Sequence, residues 1–427
     1  MKLFKSRWDS IVKLVIILVV SGIIGMLLLV AVYYLPTDKI KSNIGSGAYV
    51  YLQETSEFQY ADGYVSTILD NCTDQLMLSK VAYPSTNPVL DAVRVPSYVY
   101  KDSAYDMSLL GYLNDNQHNN TGIETYARYW HGYQVILRPL FEFLNFSDVM
   151  ILNQAVQMIL FVVMLLLLVK NDLSPYIPAY IVMMIFWNSA TMGMSLQYSP
   201  CYYISLLASC VLLILNKQVS NMMYEKRWFC DLTIFLVTGV LLAYFDFLTY
   251  PVATLGIPLV IWVLIHRDKE NDKLWEVVRL SICWAVGYLG MWSEKWIIGS
   301  LISKDNIIAD AIANITNRTS SHTDQEQISR IGTVVYLMKR AFVKKPYFIV
   351  IILALVVIAI SVRRKPKSSV NHEQILILIL IGCIPLIWYF IAANHSYEHP
   401  RLVYRALGVL VFSWLAAFTE WKCEVHK

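Results

Sequence analysis

Charged residues are scarce in this chain. Only 15% of its 427 residues are Asp, Glu, Lys or Arg, while 57% are hydrophobic; an ordinary soluble domain carries about 25% and about 45–50%. That balance excludes a disordered chain and a conventional cytosolic enzyme. Net charge is equally thin: 35 Lys and Arg against 31 Asp and Glu leave +4, too little to draw an acidic polymer, so no nucleic-acid partner is expected. The seven cysteines stand singly at Cys72, Cys201, Cys210, Cys230, Cys283, Cys383 and Cys423. Without a CxxC pair or metal-ligand spacing, neither a disulfide framework nor a zinc site is indicated. Internal repeats and low-complexity tracts are also missing. What remains is apolar sequence in long runs, the composition of an all-α polytopic membrane protein.

A bilayer core takes roughly 20 apolar residues per helix. The first run, 14–34, follows Lys2, Lys5, Arg7 and Lys13. It exceeds the roughly 7–15 residue core of a cleaved signal and lacks a small-x-small cleavage site, so it reads as a retained helix entered from the cytoplasm. Further runs lie at 149–169, 175–193, 200–216, 229–245, 251–266, 277–298, 346–362, 374–393 and 403–420, giving about ten spans. The segments that this count makes cytoplasmic hold Lys170; Lys217, Lys226 and Arg227; Arg267, Lys269 and Lys273; Arg363, Arg364, Lys365 and Lys367; and Lys422 and Lys427. The short turns at 194–199 and 246–250 hold no Lys or Arg. This positive-inside asymmetry predicts a multi-pass cell-membrane protein with both termini cytoplasmic. Lys339, Arg340, Lys344 and Lys345 run against it, and an amphipathic helix on the outer surface accommodates them; a missed span is the alternative. The expected organisation is 1–34 (cytoplasmic start and first span), 35–148 (a large extracytoplasmic loop with short helices near 64–80 and 123–144), 149–298 (spans two to seven), 299–345 (second outer loop) and 346–427 (spans eight to ten and tail).

Polar residues collect on the outer side. Asp62 precedes Asp70-Asn-Cys-Thr-Asp74, whose two acids share one helical face. Such a pair can hold a divalent cation, the one candidate cofactor, or raise one partner's pKa for general-base work; it can equally be the capped first turn of a surface helix. Tyr126-Ala-Arg-Tyr-Trp-His-Gly-Tyr133 and Leu137-Arg-Pro-Leu140 bring Arg128, His131 and Arg138 to the interface, either as site residues or as an aromatic belt with snorkelling arginines. Asp246 sits among apolar neighbours near the bilayer edge, and Glu294 and Lys295 lie near the end of a span, where charges are costly unless paired. The turn Asn394-His-Ser-Tyr-Glu-His-Pro-Arg401 carries His395, Glu398, His399 and Arg401, with Arg405 just beyond. Metal ligation by the histidines is one reading; a phosphate clamp of Arg401 and Arg405, whose planar forks bind oxygens in pairs, is the better motivated one.

One amino-terminal span, a long outer loop with early acids, many spans and polar outer turns together resemble the GT-C superfamily of integral-membrane glycosyltransferases. The phrases LDNCTDQLML, ARYWHGYQVILRPL, YFDFLTYP and NHSYEHPRLVYR are also similar to those of uncharacterised Gram-positive membrane proteins. The GT-C resemblance implies a sugar taken from a polyprenyl-phosphate donor and passed to a cell-envelope glycan or lipid acceptor on the outer face. Asp62 or the Asp70/Asp74 pair stand where that family places its acid, although Asp62 follows the first span at a greater distance than usual. Under this reading Asp70 or Asp74 (Asp62 in reserve) is the base; Lys295, Arg401, Arg405 and Arg138 face phosphate; His131, His395 and His399 bond donor or acceptor; and Arg128 and Asp246 line the site. A non-catalytic partner or a transporter or flippase of cell-surface polysaccharide assembly is the alternative.

Overall fold

The computed structural model describes residues 2–52, 57–100, 109, 113, 121–219, 224–267, 272–323, 325–361 and 372–424. Several expectations fall elsewhere: Lys269, the basic run at 363–367 and Lys427 lie outside the described residues.

The chain opens with α1 (Lys2–Tyr33) and α2 (Asp38–Leu52), the latter kinked where Gly47 adopts φ +103°. Next come β1 (Phe58–Gln59) and β2 (Ile68–Leu69), paired antiparallel. α3 (Asn71–Ala82) starts where Asp70 accepts from the Thr73 amide, and α4 (Pro88–Arg94) where Asn87 caps a proline-led first turn. β3 (Pro96–Tyr100) pairs antiparallel with β4 (Thr121–Thr125), leading to α5 (Gln134–Phe141). The helices expected at 64–80 and 123–144 are therefore shorter, each preceded by a small strand. α6 (Phe146–Lys170) begins with an Asn145–Asp148 capping box.

The remaining elements are α7 (Ile177–Trp187), α8 (Ser189–Gly193), α9 (Ser199–Val219), α10 (Tyr224–Phe245), α11 (Ala253–Ile265) and α12 (Lys273–Ser303). α13 (Ile307–Arg318), α14 (Arg330–Phe342), α15 (Lys345–Ser361), α16 (His372–Ile391), α17 (Ala393–Glu398), α18 (Pro400–Val403) and α19 (Gly408–Glu424) follow. The protein is nearly all helical.

Seven helical stretches among the described residues are long and apolar enough to cross a membrane, or eight if α14 and α15, which bend by 77° at their junction, form one broken span. The ten expected spans differ from the seven at three places. Run 346–362 forms α15, which counts as a span only together with the bent α14. Run 175–193 breaks at Asn188, where φ is +59°, leaving α7 short. Run 251–266 becomes the 13-residue α11, buried at every position from Ala253 to Leu264. A helix apolar on all sides is either lipid-facing or fully enclosed by protein; here the bundle supplies the apolar surroundings. Lipid-type exposure belongs to others: Leu27, Leu166 and Ile360 point outward from α1, α6 and α15. The basic segment at 339–345 sits at the α14–α15 bend.

Two cores result. One runs through the bundle, from Leu29 and Met164 to Phe412. The smaller one joins α2, α3, α5 and the start of α6 through Ile40, Ile44, Leu78, Phe141 and Met150, and it seats the long loop on one end of the bundle. That loop end also gathers the turns at 194–199, 246–250 and 394–405.

Candidate functional site

Asp70 and Asp74 leave the start of α3 in different directions. Asp74 is buried and accepts from the amides of Leu196 (3.0 Å) and Gln197 (2.9 Å) and from Ser195 Oγ (3.2 Å), so it anchors the turn before α9. Burial pushes its carboxyl up to about 7 against the pull of the Gln197 amide, with Asp70 adding to the rise. Asp70 is also fully buried; it accepts from the Thr73 hydroxyl and from Arg401 Nη2 at 3.3 Å. The pair does not face a shared cation. Among the described residues no group of three or more His, Cys, Asp or Glu side chains is gathered as a metal site. Asp62 is exposed in the turn after β1.

The 394–405 segment meets Asp70 from the other end of the chain. Arg401 joins Asp70 to Glu57 (2.6 Å). Arg405, fully buried, stacks on Tyr198 with its guanidinium 3.6 Å from the ring centroid. Its Nε lies 3.1 Å from Met192 Sδ, its Nη1 donates to the Arg401 carbonyl, and its Nη2 has no partner. None of these contacts is a carboxylate, and a buried guanidinium without a counter-charge is expensive. His395 Nε2 faces the Leu248 carbonyl at 2.6 Å and therefore donates; its Nδ1 is left as an acceptor without a partner. His399 Nε2 faces Arg318 Nη1 at 3.0 Å and therefore accepts, leaving Nδ1–H unpartnered. Burial pushes the two imidazoles down to about 3 and about 2 respectively. Arg318 also holds Glu398 at 3.3 Å, so a cation already occupies the place where the His-x-x-Glu-His spacing suggested a metal. Asn71 Nδ2, Gln197 Nε2 and Arg401 Nε are likewise buried and unsatisfied. With Arg405 Nη2 and His399 Nδ1 they make five idle donors against two idle acceptors, His395 Nδ1 and Asn394 Oδ1, with the Ser396 hydroxyl able to act as either, so donors outnumber acceptors and this neighbourhood fits a ligand rich in oxygen acceptors.

Other expected site residues serve the fold. Arg138 donates to the carbonyls of Lys80 and Tyr83 (3.0 Å each) and stacks on Tyr33, tying α5 to the ends of α1 and α3. Lys295 donates to Ala92 O (3.0 Å) and Val93 O (2.9 Å), a cation on the C-terminus of α4. Both cations thus point at backbone carbonyls. Asp246 accepts from the Leu248 and Thr249 amides (2.9 Å each), holding a turn in which Leu248 has φ +76°; burial raises its carboxyl to about 6. His131 is enclosed by Tyr126, Tyr133 and Phe247, bonded to the Tyr133 hydroxyl (3.0 Å) and the Tyr126 carbonyl (3.1 Å). Burial, then Lys80 and Lys295, hold it neutral.

Arg128 lines a separate cavity of about 180 Å³ between α12, α13 and α16, walled by Tyr129, Tyr288, Trp292, Trp296 and Trp388. Arg318 lines it too, so this residue links the cavity to His399 and the Arg401 cluster. Sequence reading passed over Arg318, Asn71 and Gln197: a single cation or amide at a helix end carries no local signal. Lys80, buried against Ser97 Oγ at 3.0 Å and lowered to about 7 by burial, was missed for the same reason.

No family model, curated protein or solved structure matches the chain.

Proposed function

We propose that the protein is an integral-membrane glycosyltransferase of the GT-C kind. In this reading it moves a sugar from a polyprenyl-phosphate donor to a cell-envelope glycan or lipid acceptor at the outer face of a bacterial plasma membrane. The observation that carries the reading is Arg405: a fully buried guanidinium with an idle Nη2 and no carboxylate among its contacts, one helical turn from Arg401 and its Asp70. Phosphate oxygens satisfy Arg405 Nη2 and Arg401 Nε. As phosphate draws Arg401, Asp70 is freed to take the proton of the acceptor hydroxyl. The hydroxyl oxygen bonds to the anomeric carbon while the bond from that carbon to phosphate breaks, and polyprenyl phosphate departs against the two guanidinium groups. Asp74 is fully engaged by its turn and Asp62 is exposed in the turn between β1 and β2, so Asp70 takes the base role.

The test is transfer of labelled sugar from a polyprenyl-phosphate donor to envelope acceptors by protein in nanodiscs. Asp70→Asn and Arg405→Met should each reduce transfer by about 10²-fold or more, and full transfer by Asp70→Asn would eliminate the assignment. A second reading, a non-catalytic partner in cell-surface polysaccharide assembly, is favoured by Asp246, Lys295 and Arg138, whose charges are all spent on the protein's own groups. It predicts no transfer by the parent protein under any donor.

A further inference from the structure

The cavity between α12, α13 and α16 differs in kind from the Arg405 cluster. Its two arginines are already neutralised: Arg128 by Asp310 (3.3 Å) and Arg318 by Glu398 (3.3 Å). Yet Tyr288 OH, Trp292 Nε1 and Trp388 Nε1, all on its wall, are buried without any acceptor. Buried donors left in this way call for an oxygen-rich ligand, and the neutralised cations mean that the ligand need not be an anion. Flat aromatic walls beside those donors suit the apolar faces of sugar rings.

The same two helices continue the wall downward. On α12, Tyr288 is followed by Ala285, Ile282, Val278 and Leu274, and on α16, Trp388 is followed by Ile384; these last five residues line a groove of about 380 Å³ whose one polar wall residue, Ser281, donates its hydroxyl to the Val277 carbonyl. From residue 285 to residue 274, beside Lys273 at the far end of α12, a helix descends about 16 Å at ~1.5 Å per residue. Head cavity and chain groove therefore share one seam, along which a lipid chain can follow its head inward past the middle of the bilayer.

We propose that the α12–α16 seam binds a glycolipid, with its uncharged sugar head in the aromatic cavity and its chain in the apolar groove, and that this is the lipid acceptor. The acceptor role rests on the transferase reading; the binding does not. Arg318, on the cavity wall, bonds His399, which stands two residues before Arg401 and its Asp70, so in this reading the head's hydroxyls are offered on the side of the cavity that leads to the base.

The full-length protein in phosphatidylglycerol nanodiscs, titrated with monoglucosyl diacylglycerol and read by native mass spectrometry, tests this without any donor. Saturable one-to-one binding is expected. Trp388→Phe, which keeps the ring and removes the donor, should weaken it by about fivefold, the worth of one neutral hydrogen bond. Ile384→Trp, a substitution into the chain groove, should abolish it, while Gly45→Ala, on α2 and outside the seam, leaves it unchanged. Equal or tighter binding of phosphatidic acid with the same chains, or unchanged glucolipid binding by both seam variants, would overturn the proposal. Glycolipid binding together with full transfer by Asp70→Asn would instead refute the assigned chemistry and leave the seam standing.

Discussion

His395 and His399 illustrate how a side chain's surroundings set its charge. Burial, with Arg318 adding to it, holds both rings neutral far below the ordinary value of 6.5. As pH falls below 6.5 the unfolded chain takes up protons at these positions while the folded chain takes up none until about pH 3. The stability they contribute is thus present above 6.5 and is lost progressively between 6.5 and 3. Asp74 and Asp246 act with the opposite sign: their raised values, about 7 and about 6, let the folded chain keep protons that the unfolded chain releases above 3.8, so stability falls as pH rises through that window. A comparison of variants separates the two sets. The melting temperature of His395→Asn/His399→Gln, relative to the parent, should rise steadily as pH is lowered from 7 to 4.5. A constant difference would show that the imidazoles titrate as they do in water.

At the level of elements, α10 and α12 touch backbone to backbone. A methyl group on Gly239 would collide with the Trp284 carbonyl, and one on Gly287 with the Leu236 carbonyl; small residues allow such approaches between membrane helices. Gly287→Ala should cost about 1–3 kcal/mol of stability by overpacking, read as a lower melting temperature in detergent. Gly45→Ala, where a methyl would meet nothing closer than Leu113 at 3.9 Å, should change little by contact. These elements also mark what was legible in the sequence. Spans that face lipid announce themselves by length and apolarity, as α1, α6 and α16 do. α11 is just as apolar but short and enclosed, so hydropathy alone promoted it to a span. The site followed the same logic. Arg138, Lys295 and Arg405 are indistinguishable as cations near the ends of apolar runs, yet two of them meet backbone carbonyls and one meets an aromatic face with a donor to spare. That difference is created by chain segments from 55 to more than 200 residues away, and no local pattern encodes it.

For the whole molecule, the decisive quantity is which end of the bundle faces outward. At one end Asn216 bonds Asn171, Tyr176 bonds Glu420 and Lys273 bonds Gln374, amid Lys170, Lys226, Arg227 and Arg267. At the other stand the long loop and the Asp70–Arg401 cluster. On the positive-inside bias we propose that the first end faces the cytoplasm, and two of the four basic residues that oppose it have local explanations. Arg340 stacks on Tyr336 and Lys344 on Tyr64, both beside the 77° bend that turns α14 away from α15, the geometry of a helix lying along the membrane surface. A single orientation must then satisfy two labels. A cysteine at Glu326, exposed between α13 and α14, should react with a membrane-impermeant maleimide in intact cells, whereas one at Lys226 should react only after permeabilisation, with the native-cysteine signal subtracted in both. The reverse pattern would put the Arg405 cluster in the cytosol, where a donor presented on the outer leaflet cannot reach it, and the charge bias would have been outweighed by the loop-end cations after all.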